Sequence, residues 1–128
     1  MLLVALFLIL KQMNKEHINV EETAPDLIIS VDQILSDYQN DEEQANKLYT
    51  DKIVQLKGEI SKISMQDGNT TFTLISPNFD ATVICSFQAE ENNNVLSFKK
   101  GDEISLKGIC TGYLLDVVLV NCVILNRK

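Results

Sequence analysis

"IVQLKGEI" occupies residues 53–60, and "EISLKGIC" occupies residues 103–110. Each alternates apolar and polar positions, reaches Leu-Lys-Gly and turns apolar again, the period of two that marks a half-buried strand. Nothing flanking the two segments matches, so the repeat is not a duplicated domain. Val54, Leu56, Gly58 and Ile60 share one face of the first segment; Ile104, Leu106, Gly108 and Cys110 share one face of the second. Two distant strands with one pattern have one shape problem in common. Both must curve sharply, and a glycine in mid-strand permits a bend or a bulge.

Working outward, the same period predicts strands near 53–64, 70–76, 80–87, 102–110 and 116–125. The first pair is joined by "MQDGN", where Asp67-Gly68 is a strong hairpin signal. The second pair turns at "SPNFD" through Pro77 and Asn78, and the last pair at "TGYLLD". Only the third junction, "QAEENNNVLSFKKG", is long enough to add a turn of helix or an irregular crossing. Short hairpins, one long crossing and a final hairpin are the layout of a five-stranded Greek-key barrel, the OB-fold. In that barrel the first and fourth strands lie side by side, which would bring the two Leu-Lys-Gly segments together.

Before the strands the period is helical. Ser30 and Gln33 have the spacing of a capping box. Val31, Ile34, Leu35, Tyr38, Ala45, Leu48 and Tyr49 follow at three- and four-residue intervals, opposite Asp37, Asp41, Glu42 and Glu43. An isolated helix of this length is marginal in water, so we expect a mainly β protein with one amphipathic helix, from residue 30 to about 47, packed on the barrel.

Residues 11–27 show no sustained period and read as a polar linker holding His17, the chain's one histidine. "MLLVALFLIL", residues 1–10, is apolar throughout but shorter than the roughly 20 residues a spanning helix needs. It reads as a truncated membrane anchor or a signal segment, with a buried strand or helix of the domain as the alternative. Residues 28–128 then form the helix-plus-barrel domain. We expect that domain to be anchored at a membrane on the side away from the cytoplasm. Lys11 and Lys15 after the apolar run favour the reverse by the positive-inside tendency, and the orientation stays open.

"ISVDQILSDYQNDEEQANKLYTDKIVQLKGEISKI" and "FKKGDEISLKGICTGYLLDVVLVNC" together carry a wider likeness. With Asn40 to Tyr49 before the first strand, Lys100-Gly101-Asp102 before the fourth and Gly112 to Val117 entering the fifth, the chain resembles the tRNA-anticodon-like OB-fold family of membrane-anchored bacterial proteins. The resemblance spans about residues 27–125. It implies the OB-fold and an N-terminal anchor, and little about activity, because fold does not fix function.

Composition narrows the chemistry. The 128 residues carry 18 acids and 11 basic side chains, a formal charge of −7. Nine acids face three lysines up to residue 49, and nine face eight basic residues after it. Binding to nucleic acid depends largely on neutralising phosphates, and residues 63–98 contain no lysine or arginine. Cys85, Cys110 and Cys122 are too few for a disulfide scaffold, form no CxxC pair and read as small apolar residues on buried strands. With one histidine and no phosphate-binding glycine loop, neither a metal site nor a cofactor site is indicated. Glu59 and Asp116 form no recognisable catalytic pair, so we expect no enzyme.

An OB-fold usually binds on the face of its second and third strands and on the flanking loops. Of the aromatics near that surface, Phe72 and Phe87 should turn into the barrel. The candidate ligand-binding residues are Asp67 and Asn69 in the first hairpin, Asn78 and Phe79 in the second turn, and Tyr113 and Asp116 in the last. Their acids suit a protein, a peptide or a small cationic ligand. Single-stranded nucleic acid is the alternative.

Overall fold

The computed structural model describes residues 20–126. Its strands are β1 (Leu27–Ser30), β2 (Ile53–Gln66), β3 (Asn69–Ile75), β4 (Val83–Phe87), β5 (Glu103–Leu114) and β6 (Asp116–Ile124). The helices are α1 (Val31–Asn40), α2 (Glu42–Tyr49) and α3 (Asn92–Val95), the last preceded by a 3-10 turn at Ala89–Glu91. Strands β2, β3, β4, β6 and β5 follow one another around a ring that the β2–β5 pairing closes. This is the expected five-stranded OB barrel.

The two Leu-Lys-Gly segments pair with each other. In the antiparallel β2–β5 ladder Leu56 stands opposite Leu106, Gly58 opposite Ile104 and Val54 opposite Gly108. The repeat is thus two halves of one local two-fold, and both leucines point into the core. The two glycines differ in purpose. Gly108 lies where the β5–β6 register shifts, and a Cβ there would come within 2.5 Å of the Cys122 sulfur. Gly58 lies in unbroken pairing; a Cβ there would come within 2.4 Å of Val31 Cγ2. The expected bend or bulge holds for Gly108, whereas Gly58 exists to let a helix approach.

The β2–β3 hairpin turns on Asp67 and Gly68, both with positive φ (54° and 79°), as the tight two-residue turn requires. β1 was not expected. It pairs in parallel with β2, Leu27 opposite Val54 and Ser30 opposite Lys57. β5 occupies the other edge of β2 over the same residues, so β1 lies on the edge that β3 takes over from Glu59 onward.

The helix after β1 is broken in two, where the sequence predicts one. Ser30 caps α1 as expected, its Oγ accepting from Gln33 N at 3.0 Å. At Asp41 the backbone is extended, and the Asp41 carboxylate accepts from Gln44 N at 3.1 Å to start α2. The break re-aims the second half: Ala45 and Tyr49 turn inward, while Leu48, assigned to the buried stripe, is 45% exposed.

The barrel ends are closed differently. α1 packs beside the loop that follows β3, and α3 follows the end of β4, so they cap opposite ends. Val31, Ile34, Leu35 and Tyr38 of α1 join the main core, as do Val95 of α3 and nearby Phe98. Phe72 and Phe87 lie inside the barrel as expected, edge to face at 4.7 Å, with Phe98 edge-on to Phe72 at 6.2 Å. Glu91 fastens this cap: its carboxylate accepts from Ile124 N and from Asn94 Nδ2, each at 2.6 Å. All three cysteines are buried and unbridged.

The apolar run at residues 1–10, Lys11, Lys15 and His17 lie outside the described residues. Among those described, no helix is long and apolar enough to cross a membrane. The end of the segment read as a linker lies against the barrel. Val20 is buried in a small outer cluster with Ile53 and Val123, and Ile109 packs against it. Lys107 Nζ donates to the carbonyls of Glu21 and Thr23 at 3.1 and 2.8 Å. Asp26 exchanges two hydrogen bonds with Ile53, its N–H donating to the Ile53 carbonyl and its carboxylate accepting from Ile53 N.

Candidate functional site

The candidate residues from the sequence divide between the two ends of β3. Asp67 and Asn69 sit at the hairpin tip where β3 begins, exposed. Asn78 and Phe79 follow its other end, some 20 Å away for a strand of this length. Tyr113 and Asp116 lie at the Phe79 end, because Tyr113 pairs with Val117, and Val117 with Val83 at the start of β4. The structure therefore brings together Asn78, Phe79, Tyr113 and Asp116, and leaves Asp67 and Asn69 apart from them.

Short polar contacts position Asn78 and Asp116. Asp32 in the first turn of α1 accepts from Ser76 Oγ at 2.6 Å and from Asn78 Nδ2 at 2.8 Å, tying the helix to the loop that carries Phe79. Those two bonds favour the ionised carboxylate and hold Asp32 below its ordinary range. Asp116 is committed to structure: one of its oxygens accepts from both the N–H and the hydroxyl of Thr82, each at 3.0 Å.

Tyr113 is the centre of the site. Its ring stacks on Tyr38 at 5.2 Å, and Tyr38 lies 5.9 Å from Tyr49, so three tyrosines run from the core to the surface. The inner two have hydroxyls to satisfy. Tyr38 OH lies 3.8 Å from Cys110 Sγ, and Tyr49 OH donates to the Asp37 carboxylate. Burial, then the neighbouring Cys110, pushes the Tyr38 phenol well above its ordinary range; burial, then the bond to Asp37, does the same for Tyr49. Burial likewise raises the thiols of Cys110 and Cys122, and a thiol so raised is a poor nucleophile.

Tyr113 forms a wall of two hollows. One, of about 310 Å³, lies between α1 and the β3–β4 loop and is bordered by Leu35, Gln39, Phe79 and Asp80. The larger, of about 630 Å³, lies between α2 and β5 and is bordered by Glu43, Asn46, Lys47, Thr50 and Gly112. Asn46 Oδ1 is buried there without a hydrogen-bond partner. Beside the site Leu115 holds a left-handed backbone (φ 81°) and is 84% exposed, an unusual combination for a bulky apolar residue. Glu43, Asn46, Gly112 and Leu115 were not among the sequence candidates. The signal that points to Asn46 is its place between Ala45 and Tyr49, an amide bordering an apolar helical stripe.

The outer face of β3 and β4 is plain by contrast. Thr71, Thr73, Ile84 and Ser86 alternate with the inward-facing Phe72, Leu74, Cys85 and Phe87. Among the described residues no group of His, Cys, Asp and Glu could hold a metal ion.

A family model described as tRNA_anti-like matches residues 1–124. No curated protein matches the sequence. Among solved structures, a candidate nucleic acid-binding lipoprotein from Klebsiella pneumoniae is similar at a TM-score of 0.68 and 16% identity, over 77% of this chain and 92% of that one. An OBody bound to hen egg-white lysozyme gives 0.51 at 13% identity, over 63% and 88%. A candidate aspartyl-tRNA synthetase from Leishmania major gives 0.54 at 9% identity, over 79% of this chain and 21% of that one. At these identities the likeness is one of fold.

Proposed function

The chain belongs to the tRNA_anti-like family, and from that membership we propose that it is a non-catalytic OB-fold binding module whose ligand is a protein, a peptide or a small cationic molecule. One observation carries the choice of ligand. Phe72 and Phe87 point into the barrel and leave threonines, an isoleucine and a serine on the outer face of β3 and β4. A single-strand binder needs aromatic platforms for the bases and cations for the phosphates on its binding face. This face has no aromatic, and residues 63–98 supply no cation. Of the aromatics that do reach the surface, Tyr113 lies beside Glu43 and Lys47, and Phe79 beside Asp80. In this reading residues 1–10 hold the module at a membrane surface, and their removal should release the chain from the membrane fraction.

Single-stranded nucleic acid is the second reading. It draws on the family's name and on the description of the Klebsiella protein as a candidate nucleic acid-binding lipoprotein. Titration with oligothymidylate and oligouridylate at low salt separates the two, since electrostatic binding is strongest there. We expect no saturable binding at micromolar concentrations. Micromolar binding lost in Phe79→Ala and Tyr113→Ala would reverse the order of the readings.

A further inference from the structure

The hollow between α1 and the β3–β4 loop has one charged residue on its border, Asp80, and no lysine or arginine to balance it. Asp80 is exposed and makes no hydrogen bond or ion pair among the described residues. Asp32 and Asp116, by contrast, are engaged by Ser76, Asn78 and Thr82. The bond from Asn78 to Asp32 also fixes the loop against α1, so the hollow is held open before anything enters.

Its surroundings share one sign. Residues 31–40 and 63–98 contain no lysine or arginine, and Lys47 lines the other hollow. Gln39, on the border, stands in the last turn of α1, which carries no basic residue; the partial negative charge of a helix C-terminus favours a cation there. Phe79 and Tyr113 border the same space as Asp80. Aromatic rings beside a carboxylate suit a guanidinium or amidinium group, which stacks on a ring and meets a carboxylate with two parallel N–H bonds. At about 310 Å³ the hollow is at the lower end of the range for small-molecule sites, room for one head group on a short stem rather than a run of peptide.

Resting on the binding-module reading above, we propose that this hollow binds a small organic cation with a planar guanidinium or amidinium head. The head donates to the Asp80 carboxylate, and its flat face lies against the rings of Phe79 and Tyr113.

The test is an NMR titration of the full chain with three probes of one shape and different charge: benzamidinium, benzamide and benzoate. Benzamidinium should give saturable shifts of the Phe79 and Tyr113 rings and bind about tenfold more tightly than benzamide, the gain expected of a hydrogen bond to a charged group. Benzoate should bind more weakly than either. Asp80→Asn, at an exposed position, should leave the melting temperature unchanged and bring benzamidinium down to the affinity of benzamide. Added salt should narrow the same gap. Glu43→Gln, at the other hollow, should change neither affinity, and a loss there would move the cation out of this hollow and overturn the proposal. Equal binding of the three probes, no saturable shift with any of them, or a preference that persists in Asp80→Asn overturns it while leaving a binding module intact. Tighter binding of acetyl-Gly-Arg-Gly-amide than of benzamidinium would give the hollow to a partner's side chain and overturn the small-molecule assignment. Binding of oligothymidylate that is lost in Phe79→Ala, with no response to the probes, overturns both the proposal and the reading beneath it.

Discussion

The two ends of the barrel are closed by aromatic side chains of different kinds. At the α3 end the rings are Phe72, Phe87 and Phe98, set edge to face. At the α1–α2 end they are Tyr49, Tyr38 and Tyr113, set face to face, and the last borders both main hollows. A phenylalanine asks only for apolar neighbours, so three of them can seal an end. A buried tyrosine also asks for a hydrogen-bond partner, so a tyrosine stack brings Asp37, Cys110 and polar helix residues with it. The phenylalanine end is a plug, and the tyrosine end is a plug that doubles as a surface.

The largest test of that contrast removes the tyrosine end altogether. Deleting residues 1–49 takes away β1, α1, α2 and the buried set from Val31 to Tyr49. The remaining barrel should lose cooperative thermal unfolding, and a sharp transition in circular dichroism would show that the helices are accessory. At the other end, Phe98→Ala should cost about 3 kcal/mol in urea unfolding, as for other buried phenylalanines. The Tyr113 end should be untouched, and shifted NMR resonances of the Tyr113 ring would mean that the two ends are coupled.

A smaller perturbation probes the seam under α1. Gly58→Ala sets a methyl against Val31 and should cost about 2 kcal/mol by overpacking. Val31→Ala on that background should restore part of the loss, because the clash is with that side chain. Full additivity of the two losses would place the strain elsewhere.

Smallest is the hydroxyl that distinguishes the ends. Tyr38→Phe should cost about 1 kcal/mol at neutral pH. The folded-state phenols of Tyr38 and Tyr49 are raised, so the folded chain holds those protons more tightly than the unfolded chain does. Their contribution is complete below about pH 10, the unfolded value, and declines as pH rises above it. Tyr38→Phe should therefore shrink the alkaline loss of stability, and an identical alkaline profile would sink the assignment.

The strand pattern was legible because each barrel strand has one wet face and one dry face, which writes a period of two into the chain. The pairing of residues 53–60 with 103–110 was legible for the same reason. β1 was not, since "LIIS" is four residues whose strand state depends on an edge of β2 that no local signal announces. The break in the helix had a cue in Asp41 followed three residues on by Gln44, a second cap motif hidden in an acidic run. At the site, Phe79 was legible as a turn aromatic, whereas Tyr113, read as a turn residue, lies in β5 and pairs with Val117. The hollow beside Asn46 and Glu43 was not legible, because it depends on α2 lying across β5, a contact between parts of the chain some sixty residues apart.

The small cluster of Val20, Ile53 and Val123 has a topological consequence. It brings the approach to β1 and the end of β6 to one place on the barrel wall. The order in which the strands are strung is then almost immaterial to the ring they form. A chain rejoined by a short bridge from just past Ile124 to just before Val20, and reopened between Asp67 and Gly68, would keep every ladder of the barrel. Such a permuted chain should still unfold in one cooperative thermal transition, because the joined positions already share one cluster on the barrel wall.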